Sequence, residues 1–137
     1  MRTLHWGIRV ADLERSLAFY GAIGYEVIMT VHETEFGSLT MLQLPGDEFV
    51  TIELVHDPAT TLELGNGLNH FVIHVESMAD TLTALAAEGV EAEPPSSPDG
   101  SADFLVAWLT DPDGRRIELV QWPPGHPAGL SKADLTQ

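Results

Sequence analysis

Two histidines and two glutamates recur in this chain at one spacing. His5 precedes Glu53 by 48 residues and His70 precedes Glu118 by the same 48, so the second pair repeats the first at an offset of 65. Each glutamate stands in an identical frame, Ile-Glu-Leu-Val, at Ile52 to Val55 and again at Ile117 to Val120. An ionised carboxylate among apolar strand residues is costly to bury unless a cation or a metal answers it. One histidine in a strand is ordinarily an edge or core residue, and it is the repetition that favours ligand duty. Neutral imidazole nitrogens and carboxylate oxygens suit a borderline divalent ion, such as Ni, Co, Zn, Mn or Fe(II), better than a thiophilic one. Four such donors in an octahedral shell leave two positions open, for water or for two oxygens of one substrate.

The elements that must position these residues follow the same repeat. Over residues 3–10 the chain alternates, so that His5, Gly7 and Arg9 share one strand face while Leu4, Trp6, Ile8 and Val10 share the other. Asp12 then caps a helix whose stripe is Leu13, Leu17 and Tyr20, ended by Gly24. Strands are expected at 25–31, 38–44 and 48–56, and the irregular stretch 57–67 reads as a linker. The pattern restarts at 69–75, with Ser77 as cap, Met78, Leu82 and Leu85 as stripe and Gly89 as stop. A short strand near 90–93 leads to a Pro/Ser/Gly loop, and strands at 104–110 and 115–121 are joined by the turn Asp111-Pro112-Asp113-Gly114. The expected fold is α+β: two tandem βαβββ modules, 1–57 and 68–121, forming a cupped sheet in one domain over 1–121. Residues 122–137, rich in proline and glycine, are expected as an extended arm.

The bulk properties narrow the partners. Twenty-one acidic residues against six basic ones give a formal charge of −15, which repels nucleic acid and anionic membrane, so neither is expected as a partner. Cysteine is absent, which excludes disulfides and thiolate chemistry. With no apolar run of membrane-spanning length and no cleavage motif, a soluble cytoplasmic protein acting on a small molecule is expected.

The opening MRTLHWGIRVADLERSLAFY, the IEL strand, NHFVIHV and DPDGRRIELV together resemble the glyoxalase I family, the lactoylglutathione lyases of the vicinal oxygen chelate superfamily. The similarity runs over about residues 1–121. It implies that His5, Glu53, His70 and Glu118 bind one divalent metal per site, Ni, Co or Zn first and Mn or Fe next. It also implies that Arg9 contacts substrate, and that the reaction isomerises the hemithioacetal of methylglyoxal and a thiol to a 2-hydroxyacyl thioester. Glu118 or Glu53 would serve as catalytic base, with Glu118 favoured by the resemblance. Arg116, which shares a strand face with Glu118, is a second candidate for substrate binding. In the family the barrel is completed between chains, so a homodimer with sites shared between subunits is expected. The chain carries Asp57 where the family usually has Asn and has no basic residue just before His70, which leaves the thiol cosubstrate open. Three other functions remain as alternatives: drug sequestration of the bleomycin-resistance type, acyl-CoA epimerisation and extradiol oxygenation. The scarcity of basic residues disfavours the epimerase, and the fourth ligand disfavours the oxygenase.

Overall fold

In the computed structural model the chain divides into two compact units, Met1–Gly67 with Asp111–Gly114, and Leu68–Thr110 with Arg115–Gln137. The structure describes residues 1–136; the last residue of the expected arm, Gln137, lies outside them.

The first unit contains β1 (Trp6–Arg9), α1 (Leu13–Ala22), β2 (Glu26–Thr34), β3 (Gly37–Gln43) and β4 (Ile52–His56). Its sheet has the order β1-β4-β3-β2, with β1 parallel to β4 and the other neighbours antiparallel. Asp12 opens α1 as expected, its carboxylate accepting the Arg15 N–H at 3.0 Å, which satisfies one orphan donor of the first turn. The helix buries Ser16 and Tyr20, and the Tyr20 hydroxyl donates to Asp111 Oδ2 at 2.7 Å. Alternation is what separates the two sheet faces: Ile8, Ile52 and Leu54 are buried, while Gly7, Arg9, Glu53 and Val55 point the other way. β4 begins four residues later than the sequence suggests. Asp47 folds the approach into a loop, its carboxylate accepting from the Leu44 N–H at 3.0 Å and the Thr51 hydroxyl at 2.9 Å.

The second unit repeats the plan in shorter form, with β5 (His70–His74), α2 (Met78–Ala87), β6 (Leu105–Thr110) and β7 (Arg116–Gln121). Its sheet has the order β5-β7-β6, with β5 parallel to β7 and β6 antiparallel to it. Ser77 caps α2, and the Met78 N–H is taken by Gln121 Oε1 at 2.7 Å. Helix α2 packs on β6 and β7, and the buried apolar residues are Val75, Met78, Leu85, Ala107, Leu109, Ile117, Leu119 and Val120. The strand expected at 90–93 does not form a ladder. The Glu93 N–H donates to the Trp108 carbonyl, Ser96 and Val106 make one isolated bridge, and Pro94 and Pro95 supply no N–H between them. Nor is the tail extended. Trp122 stacks between Phe104 and His126, with ring centroids 5.2 and 4.5 Å apart, and its indole N–H donates to the Ala128 carbonyl at 3.1 Å. A 3-10 turn at Lys132–Thr136 then brings Asp134 Oδ1 to 2.7 Å from His126 Nε2.

Candidate metal and substrate site

The first pair is assembled by the parallel register of β1 and β4. His5 lies one residue before β1, and its Nε2 is 3.3 Å from Glu53 Oε2. Gly7 is the direct partner of Glu53, and an added Cβ there would stand 3.6 Å from Glu53 Oε1. The glycine therefore leaves the face open where the glutamate leans across toward His5. Burial is partial, with side-chain exposures of 34% and 15%, so a ligand still reaches both groups.

The second pair is built in the equivalent way. His70 Nε2 is 3.2 Å from Glu118 Oε2, and the exposures are 32% and 20%. Here Val72 occupies the position opposite Glu118. The Asn69 side-chain oxygen contacts His70 Nδ1 at 2.6 Å. An oxygen there accepts, so the proton sits on Nδ1 and the Nε2 lone pair is left to bind a metal. Trp108 meets the His70 ring edge-on at 5.1 Å.

These distances and donor types fit a divalent ion. Two ligands at adjacent octahedral corners, each about 2.1 Å from the metal, are about 3 Å apart, close to the spacing of both pairs. Among the described residues no group of three or more His, Cys, Asp or Glu forms within the chain. The structure therefore offers two two-donor sets.

The remaining candidates are placed as follows. Arg9 is half-buried on the same face of β1 as Gly7, and its charge acts on Asp57. The Ala59 N–H and the Thr60 hydroxyl, with Arg9 adding to them, hold the Asp57 carboxyl below the usual carboxylate range. Arg116 is the register partner of His70, and its guanidinium is engaged by Glu93 at 2.6 Å and by the Trp108 ring at 5.0 Å. The Thr51 hydroxyl, on the same side of β4 as Glu53, is spent on Asp47, and His74 is exposed at the end of β5. Sequence reasoning missed Asn69 and Glu93. Asn69 was visible only as the neighbour of a proposed ligand, a common position for an orienting group. Glu93 gave no signal, because its partner depends on how a proline-broken segment lies along β6.

Residues 2–119 match the family model of the glyoxalase/bleomycin resistance protein/dioxygenase superfamily. The chain belongs to that superfamily. Within it, the chain is 34% identical over 134 residues to a probable lactoylglutathione lyase from Vibrio cholerae, covering 94% of this chain and 96% of that one. Among solved structures it is similar to a glyoxalase I mutant from Zea mays, with a TM-score of 0.75 and 25% identity over 89% of this chain and 45% of the other. It is also similar to the trypanothione-dependent glyoxalase I of Leishmania major, with a TM-score of 0.69 and 28% identity over 88% and 86% of the two chains. The fold of the glyoxalase superfamily accounts for the α+β composition and for the recurrence of one βα plan in both units.

Proposed function

We propose that this chain is a glyoxalase I-like lyase that converts the hemithioacetal of methylglyoxal and a thiol into a 2-hydroxyacyl thioester. The observation that carries the reading is the pair of His–Glu contacts, 3.3 and 3.2 Å, at positions of the two units that correspond in the 65-residue repeat. Family membership and the lactoylglutathione lyase relatives support it. His5, Glu53, His70 and Glu118 would hold one divalent ion, with Ni, Co or Zn the first choices. When bound, the ion supplies Lewis-acid polarisation of the two vicinal substrate oxygens.

The chain's own residues do the rest. Glu118 removes the proton from the thiol-bearing carbon and returns it to the adjacent carbon, while the hydroxyl proton passes from the first carbon's oxygen to the second's, so the reaction is an isomerisation with no external oxidant or reductant. Asn69 keeps His70 in one tautomer and orientation. Arg9 and Arg116 bind the substrate. The protein acts as a cytoplasmic homodimer, each site taking His5 and Glu53 from one protomer and His70 and Glu118 from its partner. No nucleic acid takes part, and no helix among the described residues is long and apolar enough to cross a membrane.

The test is a matrix of methylglyoxal with glutathione, mycothiol or bacillithiol against protein loaded with Ni, Co or Zn, following thioester absorbance. Turnover with at least one combination, lost on chelation and restored by metal, is the expected result. Absence of turnover in every combination sinks the glyoxalase assignment and returns the choice to the alternatives, with drug sequestration by the same fold first among them.

A further inference from the structure

In the second unit the substrate-binding candidate Arg116 is paired with Glu93, a carboxylate to which the proposed reaction gives no role. Arg116 is the register partner of His70 across the parallel β5/β7 pair, so its side chain leaves the sheet beside the His70–Glu118 contact. Its guanidinium lies 5.0 Å from the Trp108 ring centroid. Nη2 is 2.6 Å from Glu93 Oε2, and Nη1 donates to the Thr110 hydroxyl at 3.5 Å. Trp108 in turn contacts the His70 ring. Glu93 is anchored at the backbone, its N–H donating to the Trp108 carbonyl at 2.9 Å, and the Ser96–Val106 bridge fixes the chain just beyond. Pro94 and Pro95 stiffen the stretch between those anchors. The carboxylate is thus tied to the strand that also carries Trp108.

The consequence is electrostatic. Arg116 and Glu93 are 42% and 54% exposed, so the pair is screened and contributes little to folding stability. Ligand choice is another matter, because a like charge repels an incoming anion whether or not the pair stabilises the fold. A carboxylate or phosphate reaching Arg116 finds Nη2 occupied and a second negative charge alongside. We infer that Glu93 is a specificity-determining residue, disfavouring substrates whose thiol portion puts an anionic group beside Arg116 and selecting thiols that are uncharged there. The inference rests on the glyoxalase I-like reading and goes beyond it by naming a substrate class.

Two thiols separate the cases: glutathione, with two carboxylates, and N-acetylcysteamine, with no ionised group. The quantity to measure is the ratio of kcat/KM for their methylglyoxal hemithioacetals in wild type, Glu93→Gln and Glu93→Asp. Two unit charges several ångströms apart near a surface predict that Glu93→Gln raises the glutathione to N-acetylcysteamine ratio about five- to tenfold. Glu93→Asp, which keeps the charge, should hold the ratio near wild type. The same shift should appear in calorimetric Kd values for the unreactive S-hexyl derivatives of both thiols. An unchanged ratio, an equal loss with both thiols, or no binding of either derivative overturns the inference. Wild type that binds the derivatives yet turns over neither hemithioacetal refutes the glyoxalase reading instead, and the Kd ratio still reports on Glu93.

Discussion

Glu53 and Glu118 lie in matching contacts but differ in what stands opposite them, Gly7 for the first and Val72 for the second. Both carboxylates are proposed ligands, and one must also move a proton. Replacing Glu118 by Gln keeps a ligating oxygen and removes the base. Glu118→Gln is therefore expected to lower kcat by about 100-fold or more with metal still bound. Near-wild-type turnover would transfer the role to Glu53, for which Gly7 leaves lateral room. Asn69 offers a test that does not depend on turnover. Its 2.6 Å contact fixes the His70 tautomer, so Asn69→Ala should weaken metal affinity by about 10- to 100-fold in chelator competition. Unaltered affinity would show that His70 needs no such support, or does not bind the metal.

Elements succeed or fail on details that periodicity only partly reveals. The hairpin between β2 and β3 turns on Gly37, whose φ of +101° and close approach to the His56 carbonyl leave no space for a Cβ. Gly37→Ala combines backbone strain with a steric clash and should cost about 3 kcal/mol in urea unfolding. The tail is a second such detail. Hydrogen bonds donated by its ring, first to Asp134 and then to the Pro127 carbonyl, raise His126 above the usual imidazole range, while the Ser131 N–H and then His126 hold Asp134 below the usual carboxylate range. A raised histidine stabilises the folded tail below its unfolded value of about 6.5 and ceases to as pH rises through the raised value. The lowered aspartate acts oppositely, its contribution present above about 4 and lost as pH falls through the lowered value. The tail should therefore be held best in mildly acidic solution and loosen on the alkaline side. Trp122 emission, taken as wild type minus Trp122→Phe, should follow His126, and a trace flat across that range would reject the latch. Both caps, both helical stripes, the Asp111–Gly114 turn and the parity of His5, Glu53, His70 and Glu118 were legible in the sequence, because each depends on neighbours within one element. Segment 90–96 and the tail were not. Pro94 and Pro95 break a ladder that the hydrophobic pattern implied, and the Trp122–His126 stack joins residues whose local sequence signals only turns.

At the scale of the whole molecule, the two donor pairs must be joined if four ligands are to bind one ion, and the proposed joining is between protomers. Symmetry gives that proposal a sharp consequence. A chain with His5→Ala and Glu53→Ala lacks one half of every site, and a chain with His70→Ala and Glu118→Ala lacks the other, so each homodimer should be inactive. When the two are unfolded together and reassembled, a mixed dimer contains one site built wholly from altered halves and one built wholly from intact halves. Random pairing makes half the dimers mixed, so the mixture should regain about a quarter of wild-type activity and a matching share of tight metal sites. If each site instead belonged to one chain, every site in the mixture would keep its defect and nothing would return. Metal stoichiometry by competition with a chromogenic chelator gives the same answer without any substrate. A failure of the chemical assignment would then leave the assembly prediction standing on its own measurement. The acidic surface, at a formal charge of −15, opposes association at low salt, so reassembly should be followed at physiological ionic strength or above.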